Sequence, residues 1–455
     1  MASAGIGGMP AFQPSHDPKL AHFGNFGTLT ITGASATSIG GILHDNTAGP
    51  ATITGSAITA GGGELIVISG GANNANALTI SSQLAAGVSR LTKAGTGVLV
   101  LGFAENSFTQ GYSILEGTVR FGASTGFRNL GDTAAAATNV IRQAGTLDLG
   151  GAGPSSTLYG GGPTMNMVTT APVSGSGRIT TSVAGAQAIK FGIDLWSNAQ
   201  GVFSGVISDG AGTVNVVKSA GNTQTFSGLN TYTGATIINA GTLQVTSLAS
   251  GGIASSIGMS TNAASNLVLG GTLEYTGAGL LIYQLTQTPS VSTDREFTLV
   301  GSGRINSSGT YGNSVLAAGV NNHAALVFAS TADVSFAGTG TRTLTLGGSS
   351  EGENRIRLRL VDNGASALSL TKADAGLWIL DPATSNSYTG TTTISAGVLQ
   401  VPSSAAAVQG LGSGNLNLNG GLLQSSGAFS RALGTGAGAV QFTAASGFSA
   451  SASPL

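Results

Sequence analysis

One phrase occurs three times along the 455 residues, and it limits the folds open to this chain more than any other feature. It reads LTKAGTGVLVLGFAENSFTQGYSILEGTVRF from Leu91, VVKSAGNTQTFSGLNTYTGATIINAGTLQV from Val216 and LTKADAGLWILDPATSNSYTGTTTISAGVLQV from Leu370. Each copy carries a lysine (Lys93, Lys218, Lys372) and then an Asn-(Ser/Thr)-(Phe/Tyr)-Thr cluster, and 11 residues beyond the Asn a glycine opens a short apolar run. The pairs are Asn106 with Gly117, Asn230 with Gly241 and Asn386 with Gly397, and the aromatics are Phe108, Tyr232 and Tyr388. An arm of constant length, in a chain that varies elsewhere, marks one supersecondary unit stacked on itself.

Composition supports strands as that unit. Charged residues make up 8%, while Gly reaches 74 residues. The chain is poor in the Glu and Lys that build helices, and its Thr, Val, Ile, Ser and Gly suit half-buried strands joined by tight turns. Almost no helix is expected. After each phrase comes a further Gly-led strand, GTLDLGG from Gly145, GTLEYTG from Gly271 and GLLQSSG from Gly421, so the repeating unit extends beyond the phrase. The three lysines lie 125 and 154 residues apart, a spread that opposes a propeller, whose blades need near-equal lengths. Several β-sandwiches in series would need separate cores and mostly antiparallel pairs, which the constant arm disfavours.

A solenoid with coils of about 22 residues would stack strands about 4.8 Å apart. In TIINAGTLQV, alternation turns Ile237, Leu243 and Val245 inward and leaves Thr236, Asn239, Thr242 and Gln244 outside or in turns. Residues 1–27, with Pro10, Pro14 and Pro18, are read as a lead-in or cap. Residues 28–455 are read as a continuous solenoid of irregular composite repeats, about 28–152, 153–277 and 278–427 with a partial copy over 428–455.

These phrases resemble the passenger-associated repeat of bacterial autotransporters, also called the autotransporter-associated β-strand repeat. Further stretches are similar to sequence that commonly flanks it, from Thr293, Gly340 and Phe429. The resemblance implies an all-β fold, a right-handed parallel β-helix, displayed at or beyond the surface of a Gram-negative type of cell, and it implies no catalytic reaction. Autotransporters end in a membrane barrel, and GFSASASPL shows no barrel strands, so the chain is expected to be one section of a longer protein.

The inventory excludes several function classes. With 17 basic and 18 acidic residues there is no polybasic surface for nucleic acid. Without cysteine, disulfides and thiolate metal sites are ruled out, and no cofactor or metal is expected. No apolar run reaches the length of a transmembrane helix, and the N-terminus has no signal-peptide pattern. Glycoside hydrolysis would need two converging carboxylates, and the nearest groups, Asp294 with Glu296 and Glu351 with Glu353, sit beside arginines that offer simple charge pairing. Gly122, Ser124 and Gly126 spell G-x-S-x-G without a strand-to-helix context, the His16, Asp17, His22 spacing fits no ligand pattern, and no helix follows Gly434, Gly436 and Gly438.

Arg355, Arg357 and Arg359 alternate with apolar residues and read as a strand with a basic outer face, a candidate contact for an acidic glycan. The simpler reading is a solvated face neutralised by Glu351, Glu353 and Asp362. Phe108, Tyr232 and Tyr388 are read as turn-packing residues in preference to a sugar-stacking stripe, and the repeated Asn residues as turn satisfiers. The expected function is that of an extracellular structural protein, a non-enzymatic stalk, coat or filament subunit, with its own copies as expected partner. The alternative is an adhesin that binds a glycan or cell-surface ligand through loops near 153–175 or 279–292. A polysaccharide-active enzyme stands third.

Overall fold

The computed structural model describes residues 2–3, 20–23, 27–32, 35–44, 49–71, 76–85, 87–103, 108–122, 139–150, 155–157, 164–170, 172–192, 200–277, 291–309, 325–402, 410–426 and 429–450. Among them, parallel strands account for nearly all the regular structure, and a short 3-10 turn lies at Ala264–Asn266. The chain forms two compact units, Met1–Leu158 with Pro163–Gly234, and Tyr159–Gly162 with Ala235–Leu455.

In the first unit a parallel ladder climbs from Leu20–Phe23 through Gly41–His44, Glu64–Ser69, Arg90–Ala94 and Gly111–Phe121 to Asn139–Asp148. It continues through Val173–Gly175 and Gln200–Phe203 to Thr223–Phe226. A second parallel ladder begins at Gly27–Ile31 and Ala51–Gly55 and joins the far halves of the same two long strands. The antiparallel strand pair among the described residues is Ser155–Thr157 with Thr164–Thr170.

The second unit has a parallel ladder from Thr242–Val245 through Thr272–Tyr275, Gly303–Ser307, Arg342–Gly347, Leu368–Lys372, Thr392–Ile394 and Leu416–Leu418 to Val440–Phe442. Another runs from Val291–Thr293 to Gly447–Ala450, and a third from Thr236–Ile238 to Ser335–Phe336. Parallel strands need a crossover, so every step of a ladder is one coil of a β-solenoid, and the β-sandwich alternative falls. Coil length varies more than the 22 residues expected. Register partners are 22 residues apart at Thr371 and Thr393 but 41 apart at Arg304 and Thr345.

Alternation places like residues in vertical stacks. Leu243, Leu273, Ile305 and Leu346 lie in register and are fully buried, and Ile394 and Leu418 continue the stack above Lys372. Burial of such aliphatic stems, at about 25 cal/mol per Å2 of apolar surface, is the main source of stability in a chain with no disulfide. Ile237 and Val245 also face inward, but Thr236 does not lie outside as expected. It is fully buried, with its hydroxyl donating to Ile257 O at 3.2 Å, which removes the cost of burying a polar group.

Candidate functional site

The recurring lysines occupy inward positions of their strands. Lys93 lies in register with Val67 and Ile114, Lys218 with Phe191, and Lys372 with Leu346 and Ile394. All three are fully buried. An ammonium in such a column needs polar partners, and it finds them in main-chain carbonyls at the strand end. Lys93 Nζ donates to Ala94 O (2.6 Å), Gly95 O (2.5 Å) and Glu116 O (3.3 Å). Lys372 Nζ donates to Ala373 O (2.6 Å), Asp374 O (2.8 Å) and Ala396 O (3.1 Å), and Lys218 Nζ to Ser219 O (2.7 Å) and Ala220 O (2.9 Å).

The carbonyls converge because the residue two beyond each lysine is left-handed, with φ of 74° at Gly95, 64° at Ala220 and 57° at Asp374. The glycine closing each arm is left-handed too, and at Gly117 a Cβ would collide with the carbonyl oxygens of Gly95 and Gly97. Burial lowers the lysine pKa values to about 8, 7 and 8 for Lys93, Lys218 and Lys372. The Glu116 carboxylate opposes this at Lys93, and Asp374 opposes it at Lys372.

The Asn positions bridge coils. Asn230 Oδ1 accepts from Ile207 N at 2.8 Å, and Asn386 Oδ1 accepts from Leu360 N at 2.7 Å while its Nδ2 donates to Gly410 O at 2.8 Å. Asn106 lies outside the described residues. Phe108, Tyr232 and Tyr388 are fully buried, and Tyr388 OH lies 2.7 Å from Thr392 Oγ1, so none of the three presents a ring face to a sugar. Gly241 and Gly397 open their strands with φ of 67° and 62°.

The arginine row makes ion pairs, though not with all the partners the sequence suggested. Arg355 bonds Glu353 at 2.7 Å and Asp381 at 3.4 Å, Arg357 lies 3.7 Å from Asp381, and Arg359 bonds Asp333 at 3.2 Å. Asp333 and Asp381 come from the neighbouring coils, so sequence distance hid them. Asp362 has other work. Burial raises its carboxyl, but hydrogen bonds from Leu368 N, Thr389 N and the Thr389 hydroxyl outweigh this and hold it below the usual carboxylate range.

Asp209 likewise accepts hydrogen bonds from Val214 N, Thr233 N and the Thr233 hydroxyl. Asp209 was missed in the sequence and Asp362 was given a different role; the signal is an Asp nine or ten residues before the lysine paired with the Thr three beyond the Asn.

The carboxylate pairs considered for catalysis are dispersed. Asp294 Oδ1 accepts from Gly251 N at 2.8 Å, and Glu296 Oε1 accepts from the Ser330 hydroxyl at 3.3 Å. Arg295 between them is buried and donates to Ala249 O, Gly258 O and Ser260 Oγ, fastening a turn. Among the described residues, no three His, Cys, Asp or Glu side chains come together as a metal site, and no helix is long and apolar enough to cross a membrane. Ser124, Gly126, His16, Asp17 and most of the 279–292 loop lie outside the described residues, as does the His22 side chain.

Comparison with known proteins agrees with this repeat geometry. Residues 91–121, 216–245 and 370–401 match the family model of the passenger-associated-transport repeat. Over 308 residues, 67% of this chain, the sequence is 37% identical to the adhesin BmaC autotransporter of Brucella suis biovar 1 (strain 1330). The match spans 8% of that protein's length. No solved structure matches. With three copies of the repeat, each holding a buried lysine, the chain is a passenger-associated-transport-repeat protein, one of the β-solenoid proteins of the Gram-negative cell surface and extracellular space.

Proposed function

We propose that the chain is a non-enzymatic structural section of an exported surface protein, a β-solenoid stalk that holds contact surfaces away from the cell. The observation that carries this reading is where the repeat spends its recurring side chains. Among the described residues, lysine, asparagine and aromatic go into the interior or the turns, and Lys93, Lys372 and Asn386 join one coil to the next. A catalytic repeat would instead aim such groups into a shared groove.

Self-association of copies through the uncharged flanks belongs to this reading, because low charge keeps the desolvation cost of lateral contact small. Antibody labelling of intact cells that express the chain in its natural reading frame tests the display. Labelling only after permeabilisation would refute it. Sedimentation and electron microscopy of the purified chain test self-association, with ordered fibres or layers expected and dispersed monomers at high concentration as the contrary result.

Adhesion is the second reading, favoured by the likeness to an adhesin autotransporter of Brucella suis. In-frame deletion of residues 235–455 from the natural protein would then lower attachment to host cells while surface labelling of the remainder persists.

A further inference from the structure

The outward side of the main ladder in the second unit is a file of short hydroxylated side chains. Register aligns Thr242, Thr272, Arg304, Thr345, Thr371 and Thr393, and Asn417 continues the line. Each is half-buried at its stem. Ladder spacing sets them about 4.8 Å apart along the stack. The β-branched stems hold χ1 in few rotamers, so the hydroxyls are ordered before anything binds.

Among the described residues, the hydroxyls of Thr242, Thr272, Thr345, Thr371 and Thr393 have no hydrogen-bond partner, although serines and threonines elsewhere in the unit bond carbonyls or carboxylates. Five unspent groups that both donate and accept therefore stand in one line. Charge does not compete with them. The single cation of the file, Arg304, is paired with Asp374 and also donates to Asn306 Oδ1 at 2.6 Å.

The chemistry of this file selects its partner. It has no apolar side chain to enter a lipid surface and no surplus of cations to hold phosphate or uronate. A linear polymer that presents a hydroxyl at each sugar can use the whole line, gaining avidity with every coil it crosses. We propose that this threonine file is a docking track for a linear, uncharged polysaccharide lying along the coils, with sugar hydroxyls exchanging hydrogen bonds with the threonine hydroxyls. The track belongs to the ladder itself, not to the loops between coils, and it rests on the reading that this unit is displayed outside the cell.

The test uses the full chain and three neutral hexasaccharides, cellohexaose, mannohexaose and maltohexaose, in titration calorimetry. At least one is expected to bind, with its disaccharide weaker by roughly tenfold because it spans fewer coils. The variant Thr345→Val, Thr371→Val, Thr393→Val keeps shape and β-branching and removes only hydroxyls. It is expected to melt like the parent chain and to lose roughly tenfold or more in hexasaccharide affinity.

Binding by none of the three sugars, or unchanged affinity in a folded variant, overturns the proposal. So does salt-sensitive binding of polygalacturonate alone, which would make charge the determinant. Loss of copy-to-copy association in the variant, without loss of sugar binding, would make the face an interface between copies and also overturns it. Failure here with surface labelling intact removes the track and leaves the structural reading standing.

Discussion

Lys372 donates from its Nζ to Ala396 O at 3.1 Å, joining the end of one strand to the turn that opens a strand in a coil above. The same ammonium holds the left-handed turn of its own coil through Ala373 O and Asp374 O, so one side chain ties three backbone groups. Lys93 repeats this with Ala94, Gly95 and Glu116. The lysine of the repeat is thus a backbone fastener set inside an apolar column.

Replacing that fastener should be costly. Lys372→Met keeps the stem's volume but deprives three carbonyls of a charged donor, and an expected loss of about 2–3 kcal/mol follows from unsatisfied buried acceptors. Urea unfolding followed by circular dichroism measures it. An unchanged midpoint would show that water or relaxation satisfies the carbonyls equally well.

Two glycine exchanges should have opposite signs. Gly117→Ala places a Cβ at φ 70° against the carbonyl oxygens of Gly95 and Gly97, and a loss of about 2 kcal/mol or more is expected. Ala220→Gly relieves a left-handed alanine at the position where the first copy has Gly95, with the greater entropy of unfolded glycine offsetting part of the gain. Its expected effect is a stabilisation of about 0.5 kcal/mol. A clear loss there would refute the equivalence of the two turns.

Stability should peak on the alkaline side. Burial sets the lysines at about 8, 7 and 8 in the folded chain, below their ordinary 10.5, so between roughly pH 7 and pH 10.5 the unfolded chain binds more protons and stability rises with pH. The tyrosines act in the other direction. Burial raises Tyr275 to about 12 and raises Tyr112 and Tyr388 as well, so above about pH 10 the folded chain binds more protons and stability falls. Thermal midpoints from pH 6.5 to 11 should pass through a maximum at about pH 10, and a monotonic fall from pH 7 would contradict the lysine assignment.

The carboxylates should divide by role. Arg359→Ala breaks a solvent-facing pair with Asp333, and less than about 1 kcal/mol should be lost, fading with salt. Asp362→Ala frees Leu368 N, Thr389 N and the Thr389 hydroxyl, and about 1–2 kcal/mol should be lost whatever the ionic strength. Because the folded carboxyl of Asp362 is depressed, its contribution is present above the ordinary carboxylate range and disappears as pH falls through the folded value. Unfolding of both variants at low and high salt separates the cases, and equal salt dependence would undo the distinction.

Much of the fold was legible from local pattern. The strand through Leu243 and Val245 followed from alternation, and the strand starts at Gly117, Gly241 and Gly397 from a glycine held at constant distance from an Asn; their left-handed φ came from the structure. Thr236 was misplaced because alternation assigns a side but cannot see a carbonyl such as Ile257 O waiting inside. The arginine row was read correctly as paired and wrongly in part of its partners, since Asp333 and Asp381 stand about one coil away in sequence and beside it in space.

The sequence by itself determined that this chain stacks a repeated strand unit, because strand alternation, turn glycines and a constant arm are properties of short segments. Only the tertiary structure decided what the recurring side chains do. Lys93, Lys372 and Asn386 each donate to a backbone carbonyl in the next coil, more than 20 residues away, and a carbonyl carries no residue identity for a sequence pattern to reveal.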